Sequence, residues 1–216
     1  MTAAAPPRLR VPYITAYSEE ALSHPLMFVP DPGATDGRRL SYADAVREDF
    51  QFGVLWARHG LHRGGRPEWK MVNSIRQRRC MMHLLCQVCG RSAAEPNGRI
   101  PWLVADDLDD DPAVKGYTNA PPTCAACAPE SVAACPRLRQ GATVYTAGRA
   151  EPYGVLANVL RPSRGKIITV ERHRVIPLDA FHLLEYALAV QLVVTLDDLQ
   201  PASLPSARSE EVPSPE

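Results

Sequence analysis

Apolar residues in this chain fall into short runs interrupted by Pro and Gly, a pattern that predicts short strands more often than helices. The runs are rich in Val, Ile, Leu and Tyr, and the clearest of them are bounded by turn-forming residues, as strands are. One such turn lies at residues 30–33, Pro-Asp-Pro-Gly. The strands predicted in this way cover residues 11–17, 26–29, 53–58, 99–105, 142–145, 153–160 and 166–176.

Capping signals predict three shorter helices. Ser41 can cap a short helix that reaches residue 47. Ser74 with Gln77 three residues later matches a capping box and predicts a helix to about residue 85. Thr123 follows two prolines and can cap a helix over residues 125–134.

The C-terminal apolar run, residues 179–199, is predicted to be a longer helix, because Asp179 can be its N-cap and Pro201 ends it. A helix on the surface of its own domain needs one apolar stripe, and this one would have two on opposite sides. One stripe is expected to cover the preceding strands, and the other to meet the N-terminal region of the same chain, or else a second copy in a homodimer. The stripes are Phe181, Leu188, Leu192 and Leu199 on one side and Leu183, Ala187, Val190 and Val194 on the other.

Composition and charge narrow the class of protein. The 216 residues include 21 Pro, which argues against long uninterrupted helical bundles. The chain has 24 basic and 24 acidic residues, and this balance argues against a wholly basic nucleic-acid binder. There is no apolar stretch of about 18 residues and no apolar signal segment near Met1, so a cytoplasmic protein without membrane contact is expected.

The same composition predicts the organisation of the chain. Residues 1–10 are rich in Ala and Pro, residues 201–216 are rich in Pro and Ser, and both segments are expected to be disordered. Between them lie an N-terminal α+β region at 11–70, a cysteine-rich zinc-finger region at 71–140, and a region of strands with the C-terminal helix at 141–200.

Two C-x2-C pairs form the strongest chemical signal in the sequence. Cys86 and Cys89 are followed by Gly90, and Cys124 and Cys127 come after 34 intervening residues. Two residues between thiolates allow a tight turn to place both sulfurs on one edge of a tetrahedron, about 2.3 Å from a metal ion. Two such pairs in an intracellular chain are typical of a structural zinc site, so all four cysteines are predicted to bind Zn2+.

The order of elements around these pairs predicts the kind of finger. A knuckle at the first pair, a hairpin that includes residues 99–105, and a helix at the second pair follow one another as in a treble clef. The predicted fold is therefore α+β, with a small treble-clef zinc finger embedded between short-stranded β regions and a C-terminal packing helix.

The cysteine region resembles a group of uncharacterised actinobacterial zinc-finger proteins. The resemblance is carried by Leu-Cys-Gln-Val-Cys-Gly at 85–90, Pro-Pro-Thr-Cys-Ala-Ala-Cys-Ala at 121–128 and Arg-Gln-Arg-Arg at 76–79. Upstream, Gly-Val-Leu-Trp-Ala-Arg at 53–58 and Gly-Arg-Pro-Glu at 65–68 also fit, so the resemblance spans roughly residues 11–140. It implies a zinc protein and carries no activity with it.

The region is also distantly similar to the treble clef of HNH nucleases. Those enzymes place a catalytic His on the hairpin between the two cysteine pairs, and this chain has no His between Cys89 and Cys124. Without a general base at that place, HNH-type hydrolysis of nucleic acid is not expected. The similarity implies a degenerate, non-catalytic module.

Overall neutrality conceals a basic stretch that lies mostly before the first cysteine pair and ends just after it, at Arg91. Between Arg58 and Arg91 there are eight Arg or Lys residues and one Glu, a net charge of +7. This charge predicts contact with DNA or RNA phosphates. The alternative is a protein-interaction or scaffold protein in which zinc only holds the fold and arginines offset the negative charge of its thiolates. The residues predicted to contact nucleic acid are Arg76, Arg78, Arg79 and Arg91.

Other candidates have plainer interpretations. Cys80 and His83 precede the knuckle and can replace a ligand only if one of the four thiolates is not used, and Cys135 is expected to pack as a small apolar residue. Residues 107–111, Asp-x-Asp-x-Asp, start like a calcium loop but lack its Gly and its final Glu, so a solvated acidic loop is expected. No nucleophile or catalytic motif stands out.

Overall fold

A computed structural model describes residues 10–105 and 116–203. Within these residues the protein is α+β and consists mostly of strands with three α-helices, which confirms the predicted class. None of the described helices has the length and apolar character that crossing a membrane requires. The helices are α1 (Ser74–His83), α2 (Ala128–Ala134) and α3 (Phe181–Leu184), with 3-10 turns at Arg47–Asp49 and Leu138–Gln140.

The strands agree largely with the apolar runs, although two predictions in the N-terminal region change. Ser41 lies inside a strand instead of capping a helix, and the nearest helical turn is the short Arg47–Asp49. The first predicted strand is shortened to three residues. The strands are β1 (Thr15–Tyr17), β2 (Leu26–Pro30), β3 (Arg38–Tyr42), β4 (Phe50–Gln51), β5 (Val54–Trp56), β6 (Pro67–Val72), β7 (Ile100–Ala105), β8 (Tyr117–Thr118), β9 (Ala142–Ala147), β10 (Arg149–Ser163), β11 (Lys166–Pro177), β12 (Ala187–Asp197) and β13 (Gln200–Ala202).

The largest sheet has the order β11-β10-β12-β5-β4, with β8 also paired to β12. Its strands come from the N-terminal, cysteine-rich and C-terminal stretches of the sequence, so the three predicted regions interleave in one sheet. The main apolar core lies against this sheet and includes Trp56, Met81, Tyr186 and Leu192.

The predicted C-terminal helix at 179–199 is wrong. Only Phe181–Leu184 is helical, and Ala187–Asp197 forms the strand β12 in the interior of the sheet. Two opposed apolar stripes also describe a central strand, which is buried on both faces. The succession Val193-Val194-Thr195 is β-branched and fits a pleated strand better than a helix. The helical surface predicted to meet the N-terminal region, or else a second copy, is therefore absent, and β12 contacts the N-terminal region as a strand, through parallel pairing with β5.

A second sheet, of order β13-β9-β7, supports the cysteine region. Its strand β13 includes residues 201–202, which pair with Tyr145 and Val144, so the start of the predicted disordered tail is ordered. Arg10, placed in the predicted disordered N-terminal segment, is likewise part of the described chain. The remaining predictions for the two ends, at 1–9 and 204–216, and for the acidic loop at 106–111, lie outside the described residues.

Helix α1 is fastened to β12 by a side-chain amide. In place of the predicted capping box of Ser74 and Gln77, the helix has Asn73 as its N-cap. The Asn73 side chain accepts a hydrogen bond from the backbone N–H of Arg76. Gln77 is fully buried, where its amide nitrogen donates to the carbonyl of Leu192 (2.9 Å) and its oxygen accepts from the N–H of Leu192 (2.8 Å). Gln77 thereby takes the place of a neighbouring strand between the positions where β5 and β8 pair with β12.

Candidate metal centre

The four predicted ligands come together at one point. The sulfur atoms of Cys86, Cys89, Cys124 and Cys127 all lie within 4.8 Å of one another. Tetrahedral zinc with Zn–S bonds of about 2.3 Å requires sulfurs about 3.8 Å apart. The Cys89 and Cys124 sulfurs are separated by 3.9 Å, so the cluster has the dimensions of a metal site.

The first pair lies on a tight knuckle that depends on Gly90. The N–H of Gly90 donates to the carbonyl of Cys86 (2.8 Å), and the N–H of Val88 points at the Cys86 sulfur (3.4 Å). Gly90 has φ +71°, and an added Cβ would approach the Tyr13 ring to 2.9 Å. Glycine is therefore required both by the backbone conformation and by the packing of Tyr13 on the turn.

The second pair precedes α2, which is shorter than predicted. The helix begins at Ala128 with Cys127 at its N-cap, so residues 125–127 form a turn instead of its first turn. Thr123 does not cap the helix. Its N–H donates to the carbonyl of Pro101 in β7, and its hydroxyl accepts from the Gln87 amide, both at 2.9–3.0 Å. Thr123 thus joins the second pair to the knuckle and to the sheet.

The hairpin of a treble clef does not appear between the pairs in the described part of the chain. Strand β7 pairs with β9, and β8 pairs with β12 in the other sheet. The order of knuckle, strand and helix is present, but the strand is stabilised by a partner from outside the finger. The treble-clef prediction is therefore not confirmed.

Burial among other sulfurs sets the protonation of the cluster. Burial raises the pKa of Cys124 and that of Cys127. Burial also acts to raise the pKa of Cys89, but hydrogen bonds from the backbone and side chain of Arg91 outweigh it and bring that pKa to about 7. Binding of a metal cation would offset the repulsion among four thiolates and release the remaining thiol protons.

Two arginines lie against the sulfurs. The side chain of Arg91 is near enough to Cys89 to lower the pKa of its thiol, and the guanidinium of Arg10 lies 3.8 Å from the Cys127 sulfur. Four thiolates around Zn2+ carry a net charge of −2, which two guanidinium groups can offset. Arg91 is predicted to contact phosphate. In the structure it is exposed and lies beside the sulfur of Cys89, one of the four candidate ligands.

Arg76 cannot contact phosphate in this structure, which corrects that prediction. Its side chain is 3% exposed, and both terminal nitrogens donate to the carboxylate of Glu20 at 2.6 Å. One of them also donates to the carbonyl of Thr15. Glu20 is itself fully buried and accepts further bonds from the N–H groups of Tyr17 and Arg63. The pair is a structural link between α1 and the segment after β1.

The other two predicted arginines differ from each other. Arg78 lies over the ring of Trp56, 4.1 Å from its centroid, and burial lowers its pKa. Its guanidinium is engaged in a cation–π contact with the core. Arg79 is exposed on the surface of α1. The four predicted arginines therefore do not form one surface for phosphates.

The remaining cysteines lie outside the cluster, as expected. Cys80 is fully buried, burial raises its pKa to about 12, and its thiol points at the carbonyl of Cys86 (3.9 Å). Such a thiol stays protonated and packs as an apolar group. Cys135 is half-buried after α2, and among the described residues neither it nor His83 joins a metal-ligand group.

The contacts that sequence reasoning missed join the cluster to residues far away along the chain. The sequence predicts a disordered segment at Arg10 and an ordinary strand at Tyr13, and it carries no signal that distinguishes Glu20. Gly90 at the end of the knuckle predicts a positive φ, but no local signal shows that the ring of Tyr13 packs on it. The partners of Arg76 and Cys127 are more than 50 residues away, and no pattern within either segment reveals them.

Comparisons with protein-family models, with curated proteins and with solved structures find no match to this chain. What the protein does has to be inferred from the cysteine cluster and the surfaces around it.

Proposed function

We propose that this chain is a non-catalytic zinc-binding protein whose Zn2+ is structural and is held by Cys86, Cys89, Cys124 and Cys127. The observation that supports it is the convergence of four sulfurs, two of them 3.9 Å apart, at the dimensions of a tetrahedral site. Four protein ligands leave no open coordination position for a substrate or an activated water. A degenerate HNH-like origin remains part of the hypothesis and rests on the cysteine spacing.

The zinc would join the knuckle to the turn before α2, two elements that are far apart in the sequence. The knuckle accepts backbone bonds from Tyr13 and Ile14, which lead into β1, and the second pair leads into α2. Arg10 joins the two sides, since it lies beside Cys127 and 3.7 Å from Glu130 of α2. Without the metal, the two sides would still be linked by the hydrogen bond from the Gln87 N–H to the carbonyl of Pro122, by the bonds of Thr123, and by the apolar cluster that includes Val88 and Trp102.

Of the two roles considered for such a protein, we favour a protein-interaction or scaffold role over nucleic-acid contact. Arg76 is buried against Glu20 and Arg78 is stacked on Trp56, so two of the four arginines are engaged within the fold. Arg79 and Arg91 are the members of the set that are exposed, and Arg91 lies close enough to Cys89 to lower the pKa of that thiol.

Metal analysis of the purified full chain tests the proposal directly. We expect about one zinc per chain, because four thiolates prefer zinc and one ion satisfies all of them. A content well below one metal ion per chain in protein that is folded would contradict the proposed function.

Nucleic-acid contact gives a separate prediction. Each phosphate contact contributes about 0.9 to the slope of log affinity against log salt for duplex DNA. We expect the double variant Arg79→Ala, Arg91→Ala to leave that slope unchanged when a labelled duplex or RNA hairpin is titrated between low and moderate salt. A slope that flattens by about 2 would restore these two residues as a phosphate-binding surface.

A further inference from the structure

An apolar groove runs beside the cysteine cluster. Its volume is about 310 Å3, and its floor includes Leu103 of β7 and Val88 of the knuckle. One wall is formed by α2 and the residues after it, among them Ala134 and Leu138, and the other by Trp69. The groove therefore borders both cysteine pairs, through Val88 of the knuckle in its floor and through α2 in one wall.

The wall formed by Trp69 has an unusual backbone. Thr15 of β1 pairs with Val72 of β6, but the next residue, Ala16, pairs with Glu68, so residues 69–71 lie opposite no residue of β1. This irregularity places two large apolar side chains at the surface, with Trp69 53% and Met71 58% exposed. A half-exposed Trp at the edge of an apolar groove is the kind of residue that contributes most to binding at protein interfaces.

Charged residues on the rim are mostly basic. Arg10 lines the groove and is about half exposed, and Lys70 and Arg139 are exposed neighbours of the lining residues Trp69 and Leu138. The acidic residue that lines the groove in the described chain is Glu130, which lies 3.7 Å from Arg10. Glu68, on the other side of Trp69, is paired with the exposed Arg66, so the rim keeps an excess of positive charge around an apolar floor.

We propose that this groove binds a short extended segment of another protein, in which apolar side chains are flanked by Asp or Glu. The apolar residues would occupy the space between Trp69 and Leu138, and the carboxylates would lie near Lys70 and Arg10. The proposal rests on the structural role given to the zinc above, since the metal would hold α2, one wall of the groove, beside the knuckle that forms part of its floor. It identifies the partner that an interaction protein of this kind would take.

Selection from a library of phage-displayed random peptides on the full-length, zinc-loaded protein tests the proposal. We expect enriched sequences to combine acidic with apolar residues. The most enriched peptide, labelled with a fluorophore, should bind with an affinity that falls with salt. Trp69→Ala should weaken its binding at least tenfold, and Lys70→Glu should weaken it several-fold because it reverses a rim charge.

The matched control is Ile168→Ala, which removes a side chain of similar exposure (44%) from β11, outside the groove. It should leave peptide affinity unchanged. Failure to enrich any acidic and apolar sequence would overturn the proposal, as would equal weakening by Ile168→Ala and Trp69→Ala. A solution mass that is halved in Trp69→Ala would identify the occupant as a second copy and would also overturn it.

Zinc content measured in each variant separates this proposal from the proposed function. Trp69→Ala and Lys70→Glu should keep the zinc content of the unsubstituted chain, because neither residue contacts a ligand sulfur. Intact zinc with no peptide binding would contradict the groove alone. Peptide binding to a protein that contains no metal would contradict the structural zinc alone.

Discussion

Substitution of Cys86 by Ser should abolish zinc binding and the cooperative unfolding of the protein. Cys86 is fully buried, and its backbone carbonyl also accepts the N–H of Gly90 that closes the knuckle. Structural zinc contributes about 10–16 kcal/mol of apparent binding free energy in small fingers, which is comparable to the whole stability of a domain, about 5–15 kcal/mol. We therefore expect a thermal transition that is lost or displaced by tens of degrees, together with poor solubility.

Cys135→Ser provides the control for this experiment. Cys135 is a half-buried thiol at the end of α2, and it is not part of the four-sulfur cluster. Its variant should retain about one zinc per chain and melt close to the unsubstituted protein. Equal zinc loss in both variants, or full zinc content in Cys86→Ser, would show that the cluster does not bind the metal as we propose.

Substitution of Arg76 by Ala should destabilise the fold by about 3–5 kcal/mol, the cost of leaving a buried charge without its partner. The carboxylate of Glu20 would lose both hydrogen bonds from the guanidinium while remaining enclosed. Denaturant unfolding followed by circular dichroism measures this loss. The control is Arg66→Ala, which breaks the ion pair between Arg66 and Glu68. The Arg66 side chain is 84% exposed, so this substitution should cost less than about 1 kcal/mol.

The same pair predicts how stability depends on pH. Burial acts to raise the pKa of Glu20, but the bonds from Arg76, Tyr17, Asn73 and Arg63 outweigh it and lower that pKa from 4.5 to about 2. A carboxyl whose pKa is lower in the folded state stabilises the fold above its unfolded value and loses that contribution as the pH falls. Stability should therefore decrease between about pH 5 and pH 2. In Glu20→Gln this part of the decrease should disappear, and an unchanged acid profile would contradict the assignment.

The strands and the metal ligands were predictable because their signals are local. A C-x2-C pair followed by Gly contains the geometry of a knuckle within five residues, and apolar runs between turn residues define short strands without reference to the rest of the chain. Strands β7, β10 and β11 and the helix α1 were placed within a few residues of their true bounds.

Residues 179–199 were predicted to be a helix because a segment buried on both faces shows neither the helical nor the strand periodicity of apolar residues clearly. A central strand is apolar on both sides, as is a helix enclosed on both sides, and Asp179 and Pro201 are compatible with either. What decides in favour of the strand is pairing with β10, β5 and β8, which come from three distant parts of the chain. Tertiary contacts of that kind override local propensity.

The environments of the arginines in the basic stretch could not be predicted, because charge in the sequence does not show which side chains are enclosed. Arg76, Arg78 and Arg79 are neighbours on one helix, yet the first is buried against Glu20, the second lies on an indole ring and the third is exposed. Helical spacing rotates successive side chains by about 100° and sends them to different environments. A cluster of charges on a helix that packs against a sheet therefore divides between core and surface.

The parallel pairing of β5 with β12 has a consequence for how the protein folds. Leu55 and Leu188 are partners in this pairing although 133 positions separate them in the sequence. During synthesis, β5 and the short β4 leave the ribosome long before the strand that covers their open edge, and pairing over such a separation is slow because a long loop must be closed first. The cysteine pairs lie entirely within that loop, so a metal ion bound early would shorten the loop before the final strand arrives. Zinc supply would then affect the yield of folded protein, and metal-starved cells would accumulate chains with an unpaired β5 edge that is prone to aggregation.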